Sequence, residues 1–274
     1  MDKKFIFLDI DGTLVDFTGN MPLSAERALR KAQQNGHQLI LCTGRQRSQV
    51  YPWLLQKISF DGIVSSTGAN VRSQSNLISQ HCIAKEKLSA LISYFRRESI
   101  PYCLQTEDNI LSENWCVRRM FSYFEASGLS RGQVDGLFET LLCPGGIEKS
   151  ANVEKVVYYD AGRDTKTVQA HIGADFQVTS YSFGNLDATS GEITQKAVNK
   201  ATGMEEYLRF FGASVLQSVA VGDGDNDLEM VEFAHQGVAM GNATEALKNR
   251  ANFIADSIDE DGLMKAFCSL GLIG

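Results

Sequence analysis

The chain has 274 residues, 43% of them hydrophobic and 22% charged, with a formal net charge of −7 and a pI near 5.2. At about 100–200 residues per domain this length predicts two domains or one large one, and the composition is that of a globular protein with ample core material. An acidic chain without a Lys/Arg run argues against nucleic acid as a partner, and no apolar stretch approaches the ~18 residues that suggest a membrane span. Met1-Asp2-Lys3-Lys4-Phe5 has neither the apolar segment nor the small-residue cleavage site of a secretory signal. The cysteines at 42, 82, 103, 116, 143 and 268 form no CxxC pair and no zinc spacing, so buried, reduced thiols in a cytoplasmic protein are expected. The histidines at 37, 81, 171 and 235 are far apart in sequence and have no assigned role.

In chain order, Phe5-Ile6-Phe7-Leu8-Asp9 is a short apolar run that predicts a strand buried on both faces. A helix follows, with apolar Ala25, Ala28, Leu29 and Ala32 at helical spacing, Ser24 as its expected N-cap and Gly36 as its stop. Leu39-Ile40-Leu41-Cys42 is a second strand, running into Thr43-Gly44-Arg45. A further helix and the strand Gly62-Ile63-Val64-Ser65-Ser66 complete a parallel α/β pattern. From about Val71 to about Leu186 the pattern is mixed. Helices are expected over Lys85 to Glu98 and Trp115 to Ser127, strands over Tyr102 to Gln105, Val153 to Tyr159 and Phe176 to Thr179, and a turn at Cys143-Pro144-Gly145-Gly146. The parallel pattern then returns with a helix, or a loop plus helix, over Thr194 to Phe211. It continues with the strands Ser218-Val219-Ala220-Val221, Gly237 to Met240 and Asn252 to Ala255. The predicted fold is therefore α/β: a Rossmann-like parallel-sheet core over residues 1–82 and 188–274, with an inserted α+β domain over 83–187.

Three strands end in polar residues: Asp9-Ile10-Asp11-Gly12-Thr13, Thr43-Gly44-Arg45 and Gly222-Asp223-Gly224-Asp225-Asn226-Asp227. Ligands of open α/β sheets bind beyond the carboxyl ends of the strands, so all three segments are expected at one edge. Clustered carboxylates repel and need a cation; an all-oxygen site without His or Cys suits Mg2+ rather than zinc or copper. Gly12, Gly44, Gly222 and Gly224 let backbone N–H groups approach an anion. A carboxylate beside a metal-held phosphate can attack it and form an acyl-phosphate. The same Gly/Asp loop does not fit an EF-hand, because the twelfth position counted from Asp223 is Ala234 rather than Glu.

The ordered set resembles the haloacid dehalogenase-like (HAD) superfamily. Asp9-Ile10-Asp11-Gly12-Thr13-Leu14 looks like its first motif, Thr43 its second, Lys196-Ala197-Val198-Asn199-Lys200 its third, and Gly222 to Asp227 its fourth. Gly237 to Ala243 and Asp259-Glu260-Asp261-Gly262 resemble the Cof-type branch with a type IIB cap. Where that branch often has Asn-Gly-Ala after the third strand, this chain has Thr67-Gly68-Ala69; Ala201 replaces the glycine often found after the third-motif lysine. The resemblance implies a Mg2+-dependent phosphohydrolase of a small phosphorylated metabolite such as a sugar phosphate, working through a phospho-aspartate. It implies Asp9 as nucleophile and metal ligand, and Asp11 as general acid and base with its backbone carbonyl on the metal. Asp11 is also placed on the same side of an extended chain as Asp9. Thr43, Gly44, Arg45, Lys200 and Asn226 are expected on phosphate or substrate, with Lys196 the rival to Lys200. Asp223 and Asp227 complete the metal site, while Asp225 is expected to be exposed. Gln105, Glu107, Asn109 and Asn114, read as one extended stretch, are cap candidates for substrate contact. The alternatives are a sugar-phosphate phosphomutase and a non-catalytic Mg2+/phosphate-binding protein. The chain is expected to be a monomer or homodimer.

Overall fold

The computed structural model describes residues 2–74, 76–180 and 189–274. The chain forms two compact units. Residues 1–45, 50–80 and 199–274 make the first, and residues 46–49 and 81–198 the second.

In chain order the first unit contributes β1 (Phe5–Leu8), α1 (Leu23–Gln34), β2 (Gln38–Cys42), α2 (Pro52–Lys57), β3 (Gly62–Ser65), β4 (Asn70–Ser73) and β5 (Leu77–Gln80). The second unit contributes α3 (Lys85–Glu98), β6 (Tyr102–Gln105), β7 (Ile110–Ser112), α4 (Asn114–Ala126), α5 (Arg131–Leu137), β8 (Leu141–Leu142), β9 (Lys155–Tyr158), α6 (Thr165–Ile172), β10 (Phe176–Ser180) and β11 (Gly191–Gln195). The chain then returns to the first unit with α7 (Lys200–Phe210), β12 (Ser218–Gly222), α8 (Leu228–Phe233), β13 (Gln236–Ala239), α9 (Glu245–Lys248), β14 (Phe253–Ile254) and α10 (Gly262–Ser269).

The first unit is built on an eight-stranded sheet in the order β14-β13-β12-β1-β2-β3-β4-β5. It is parallel from β14 to β3, and β4 and β5 extend it as antiparallel strands. The continuous apolar runs are explained by cover on both faces. On one face Ile6, Leu8, Leu39, Leu41, Val219 and Val221 pack with Ala25, Ala28 and Leu29 of α1 and Leu263 and Phe267 of α10. On the other, Phe5, Phe7, Ile40, Cys42 and Ala220 pack with Met204, Tyr207 and Leu208 of α7. Helix α1 begins one residue before Ser24 and takes Pro22 as its N-cap without a side-chain bond, so Ser24 does not cap it. Proline already has the φ that a helix start requires and no N–H to leave unsatisfied.

The second unit carries a six-stranded sheet, β10-β11-β9-β6-β7-β8, with its own apolar core that includes Leu88, Phe95, Tyr102, Leu104, Phe124, Val156 and Ile193. The boundary expected between 187 and 188 lies outside the described residues. The residues after it differ from expectation: 189–198 belong to the second unit, because β11 is hydrogen-bonded between β10 and β9. Residues 46–49, 81 and 82, expected in the core, also group with the second unit. Of the helix, or loop plus helix, expected over Thr194 to Phe211, the structure has the second form: β11 ends at Gln195, a short loop follows, and α7 runs from Lys200. Cys42, Cys103 and Cys116 are buried as expected, but Cys143 and Cys268 are exposed and Cys82 is half-buried; all are free thiols.

Candidate active site

The site lies wholly in the first unit. Strands β12, β1 and β2 run parallel in register, with Leu8 opposite both Val221 and Leu41, so the residues that follow them emerge side by side. Asp9 continues the ladder by one bond, its N–H donating to the Val221 carbonyl at 3.0 Å. The chain then turns: the N–H groups of Leu14 and Val15 both donate to the Ile10 carbonyl. The strand alternation expected to carry Asp11 is therefore absent, since β1 has ended at Leu8.

Three carboxylates converge. Asp9, Asp223 and Asp227 each offer a ligand oxygen within 4.8 Å of the others. Asp9 is 5% exposed and Asp227 fully buried. Lys200, also fully buried, places Nζ 2.7 Å from Asp9 Oδ1 and 2.5 Å from Asp227 Oδ1. Its position is set locally: Asn199 caps α7, accepting from the Thr202 N–H at 2.9 Å, so Lys200 opens the helix. Lys196 is exposed and belongs to the second unit. Asp227 also accepts from the backbone N–H groups of Asp223 (2.9 Å) and Gly224 (3.0 Å), which shapes the loop after β12. Asp225 is exposed and accepts from the Thr244 hydroxyl.

The electrostatics of the cluster favour a cation. Burial, then the charge of Asp227, hold the Asp9 carboxyl well above the usual carboxylate range, against the pull of Lys200. Burial and Asp227 likewise push Asp223 up to about 7, although the Thr13 hydroxyl donates to it at 2.9 Å. The Lys200 ammonium is held above its ordinary range by Asp227 and Asp9, which outweigh its own desolvation. Ionised, three carboxylates and one ammonium leave a net charge of −2. An all-oxygen donor set with that deficit fits a hard divalent cation.

Asp11 stands apart from the three. Its carboxylate accepts from Arg45 Nε at 2.7 Å and Nη2 at 2.9 Å, and from the Tyr51 hydroxyl at 3.2 Å. The Tyr51 oxygen in turn accepts from Arg45 Nη2 at 2.6 Å, and the guanidinium lies 4.3 Å from the Tyr51 ring centre. Arg45, expected on phosphate, is thus tied to Asp11 by a bidentate pair. Thr43 is buried, with its hydroxyl accepting from the Arg45 N–H at 3.1 Å.

Glycine is required where the loops meet. Gly12 has φ +80°, and a Cβ there would stand 2.0 Å from Asp223 Oδ2. Asn242 ties this turn to the segment after β14, donating to the Gly12 carbonyl at 2.8 Å and accepting from the Ile258 N–H at 3.0 Å. Sequence reasoning gave no role to Thr13, Tyr51 or Asn242. Thr13 and Asn242 stood inside quoted motifs, whereas nothing in the sequence marks Tyr51.

In the second unit, the four cap candidates do not form one extended stretch. Gln105 is buried on β6, Glu107 and Asn109 lie in the β6–β7 turn, and Asn114 opens helix α4. Arg47 pairs with Glu107 at 2.7 Å and with Asp108 at 2.6 Å. Among the described residues no helix is long and apolar enough to cross a membrane.

Comparison with known proteins identifies the family. The family of haloacid dehalogenase-like hydrolases matches residues 6–267. YkrA of Bacillus subtilis is 25% identical over 273 residues, covering the whole of both chains. The B. subtilis 5-amino-6-(5-phospho-D-ribitylamino)uracil phosphatase YwtE is 25% identical over 276 residues, 95% of each chain. Among solved structures, the HAD subclass IIB sugar phosphatase BT4131 is 27% identical with a TM-score of 0.80, covering 99% of this chain and 100% of the other. The chain therefore belongs to the haloacid dehalogenase-like hydrolases, as a Cof-type phosphatase of that superfamily.

Proposed function

We propose that the chain is a Mg2+-dependent phosphatase of a small phosphorylated metabolite, a sugar phosphate or a compound of that kind, and that it works through a phospho-aspartate at Asp9. The observation that carries this reading is the buried Asp9 carboxylate, held 2.7 Å from Lys200 Nζ inside a three-carboxylate cluster. The likeness to a sugar phosphatase supports the substrate class.

A divalent metal held by Asp9, Asp223, Asp227 and the Asp11 carbonyl would supply charge neutralisation for the phosphoryl group. The remaining chemistry belongs to the chain. An Asp9 carboxylate oxygen attacks phosphorus, and the bond from phosphorus to the leaving oxygen breaks. Asp11 gives its proton to that oxygen. Water then attacks the phosphorus, the Asp9–phosphorus bond breaks, and Asp11 takes the water's proton. Lys200 favours the ionised form of Asp9, against its burial, and faces the transferring oxygens as a point charge. Thr43, Gly44 and Asn226 bind the phosphoryl oxygens. Arg45, with Tyr51 beneath it, holds Asp11 in place until substrate arrives and then bears on substrate phosphate. Release of inorganic phosphate from a panel of phosphorylated metabolites, with Mg2+ and with EDTA, tests the reading. Metal-dependent release supports it, and no release from any compound contradicts it.

The raised Asp223 gives a pH signature. A carboxyl whose folded pKa lies above its unfolded value of 3.8 stabilises the fold below that value, and the contribution is lost as pH rises through about 7. Metal-free protein is therefore expected to melt lower at about pH 8.5 than at about pH 5. Mg2+ binds the ionised cluster, so its stabilisation is expected to grow over the same window, reaching about 5 °C or more at saturation. Melting curves with Mg2+ and EDTA that coincide at both pH values contradict the metal assignment.

A further inference from the structure

The turn after β3 carries a feature that the mechanism above leaves unused. Ser66 and Thr67 both have left-handed backbones, with φ 51° and φ 56°. This conformation is uncommon for any residue with a Cβ and costliest for a β-branched one, and such strain concentrates at functional sites. The turn is anchored rather than loose. The Ser66 N–H donates to the Arg45 carbonyl at 2.8 Å and the Thr67 N–H to the Thr43 carbonyl at 3.1 Å. Gly68, at φ +96°, lies so close to the Asn199 carbonyl that a Cβ would stand 2.0 Å from its oxygen. The turn is therefore wedged between the residues that end β2 and those that open α7.

Held this way, the Thr67 hydroxyl oxygen is buried and has no hydrogen-bond partner. An unsatisfied buried hydroxyl costs stability, a cost that a ligand accepting from it would offset. Its surroundings indicate which one. The point where a Cβ on Gly44 would stand is 3.7 Å from Thr67 Oγ1 and 3.5 Å from Asn226 Nδ2. Beyond Gly44 and its chain neighbours, no other atom of the described residues comes within 4 Å of that point. The open face of Gly44 is thus flanked by a hydroxyl donor on one side and an amide donor on the other, with no other atom of the described residues crowding it.

We propose that Thr67 is a substrate-binding residue whose hydroxyl donates to a phosphoryl oxyanion seated over Gly44, opposite the Asn226 amide. This rests on the reading of the site as a phosphate-handling one. It adds a contact from the β3 turn to those expected from the ends of β1, β2 and β12 and the start of α7.

The test compares Thr67→Ser with Thr67→Ala, which differ only in the hydroxyl and share the same relief of β-branched strain. Inorganic phosphate is titrated into each variant and the wild type by calorimetry in the presence of Mg2+, and KM and kcat are measured with p-nitrophenyl phosphate. The alanine variant is expected to bind phosphate about ten-fold more weakly than the serine variant, with KM raised to match and kcat changed less. Without phosphate the alanine variant, relieved of the unsatisfied hydroxyl, should melt at or slightly above the serine variant. Equal phosphate affinity in the two variants, or a wild type that does not bind phosphate, overturns the proposal. A lower melting point for alanine with unchanged affinity does so too, because it marks a structural role. Hydroxyl-dependent phosphate binding in a wild type that turns over no phosphomonoester upholds the contact and counts against the hydrolase reading alone.

Discussion

Asp9→Asn is expected to lower phosphate release by at least about 10^4-fold, to the level of the uncatalysed background, while the protein stays folded. An amide nitrogen or oxygen at this position cannot form the acyl-phosphate, and no other carboxylate of the cluster is free to replace it. Asp227 is engaged by Lys200 and by two backbone N–H groups, and Asp223 by Thr13. The fold should survive, because the substitution removes a charge that burial and Asp227 already disfavour. Lys200 keeps its second partner in Asp227. In the absence of metal the variant should melt at or above the wild type. An Asp9→Asn protein with substantial turnover contradicts the nucleophile assignment.

Lys200→Ala is expected to damage stability and activity together. The ammonium is fully buried and touches two buried carboxylates, and removing one partner of such a group leaves uncompensated charge costing about 3–5 kcal/mol. That corresponds to a melting point lower by roughly 10 °C, partly restored by Mg2+, which supplies positive charge to the same carboxylates. Turnover should fall to near background, because Asp9 loses the cation that favours its ionised form. Lys196→Ala, on an exposed side chain of the second unit, should melt like the wild type and retain phosphate release. A Lys196→Ala protein that loses activity, beside a Lys200→Ala protein that keeps it, reverses the assignment of the third-motif lysine.

The contrast between these two lysines shows what the sequence carries and what it leaves out. Both stand in one short polar stretch, four residues apart, and periodicity does not choose between them. Two structural facts separate them. Strand β11 runs to Gln195 within the second unit, with Lys196 following it there as an exposed side chain, and the Asn199 cap starts the helix at Lys200, which is buried against Asp9 and Asp227. The parallel core was legible because strands covered on both faces leave unbroken apolar runs, and because polar segments end three of them. The antiparallel β4–β5 edge was not, since Asn70–Ser73 and Leu77–Gln80 are short, polar and without alternation. The second unit's full extent was hidden for a related reason: membership of β11 depends on pairing partners distant in sequence.

At the site, residue types on strand ends announced the acidic cluster, but the reason offered for Asp11 did not hold, because the chain turns at Ile10 instead of continuing extended. The turn leaves Asp11 to a bidentate Arg45 and the Tyr51 hydroxyl, a grouping set by packing around α2 that no local pattern encodes. Thr67 was visible only as a departure from Asn-Gly-Ala. Its left-handed backbone and unpartnered hydroxyl are properties of conformation, and asparagine, which tolerates that conformation better than threonine, would have concealed the strain.

The most direct test of the phospho-aspartate account is rapid acid quench of the enzyme during turnover of a radiolabelled phosphomonoester in Mg2+, followed by location of any label on the protein. The account predicts a transient, protein-bound phosphoryl group on Asp9 that is absent from Asp9→Asn and absent when EDTA replaces the metal. Phosphate release that proceeds with no label on the protein at any time point, or with the label on another residue, contradicts it.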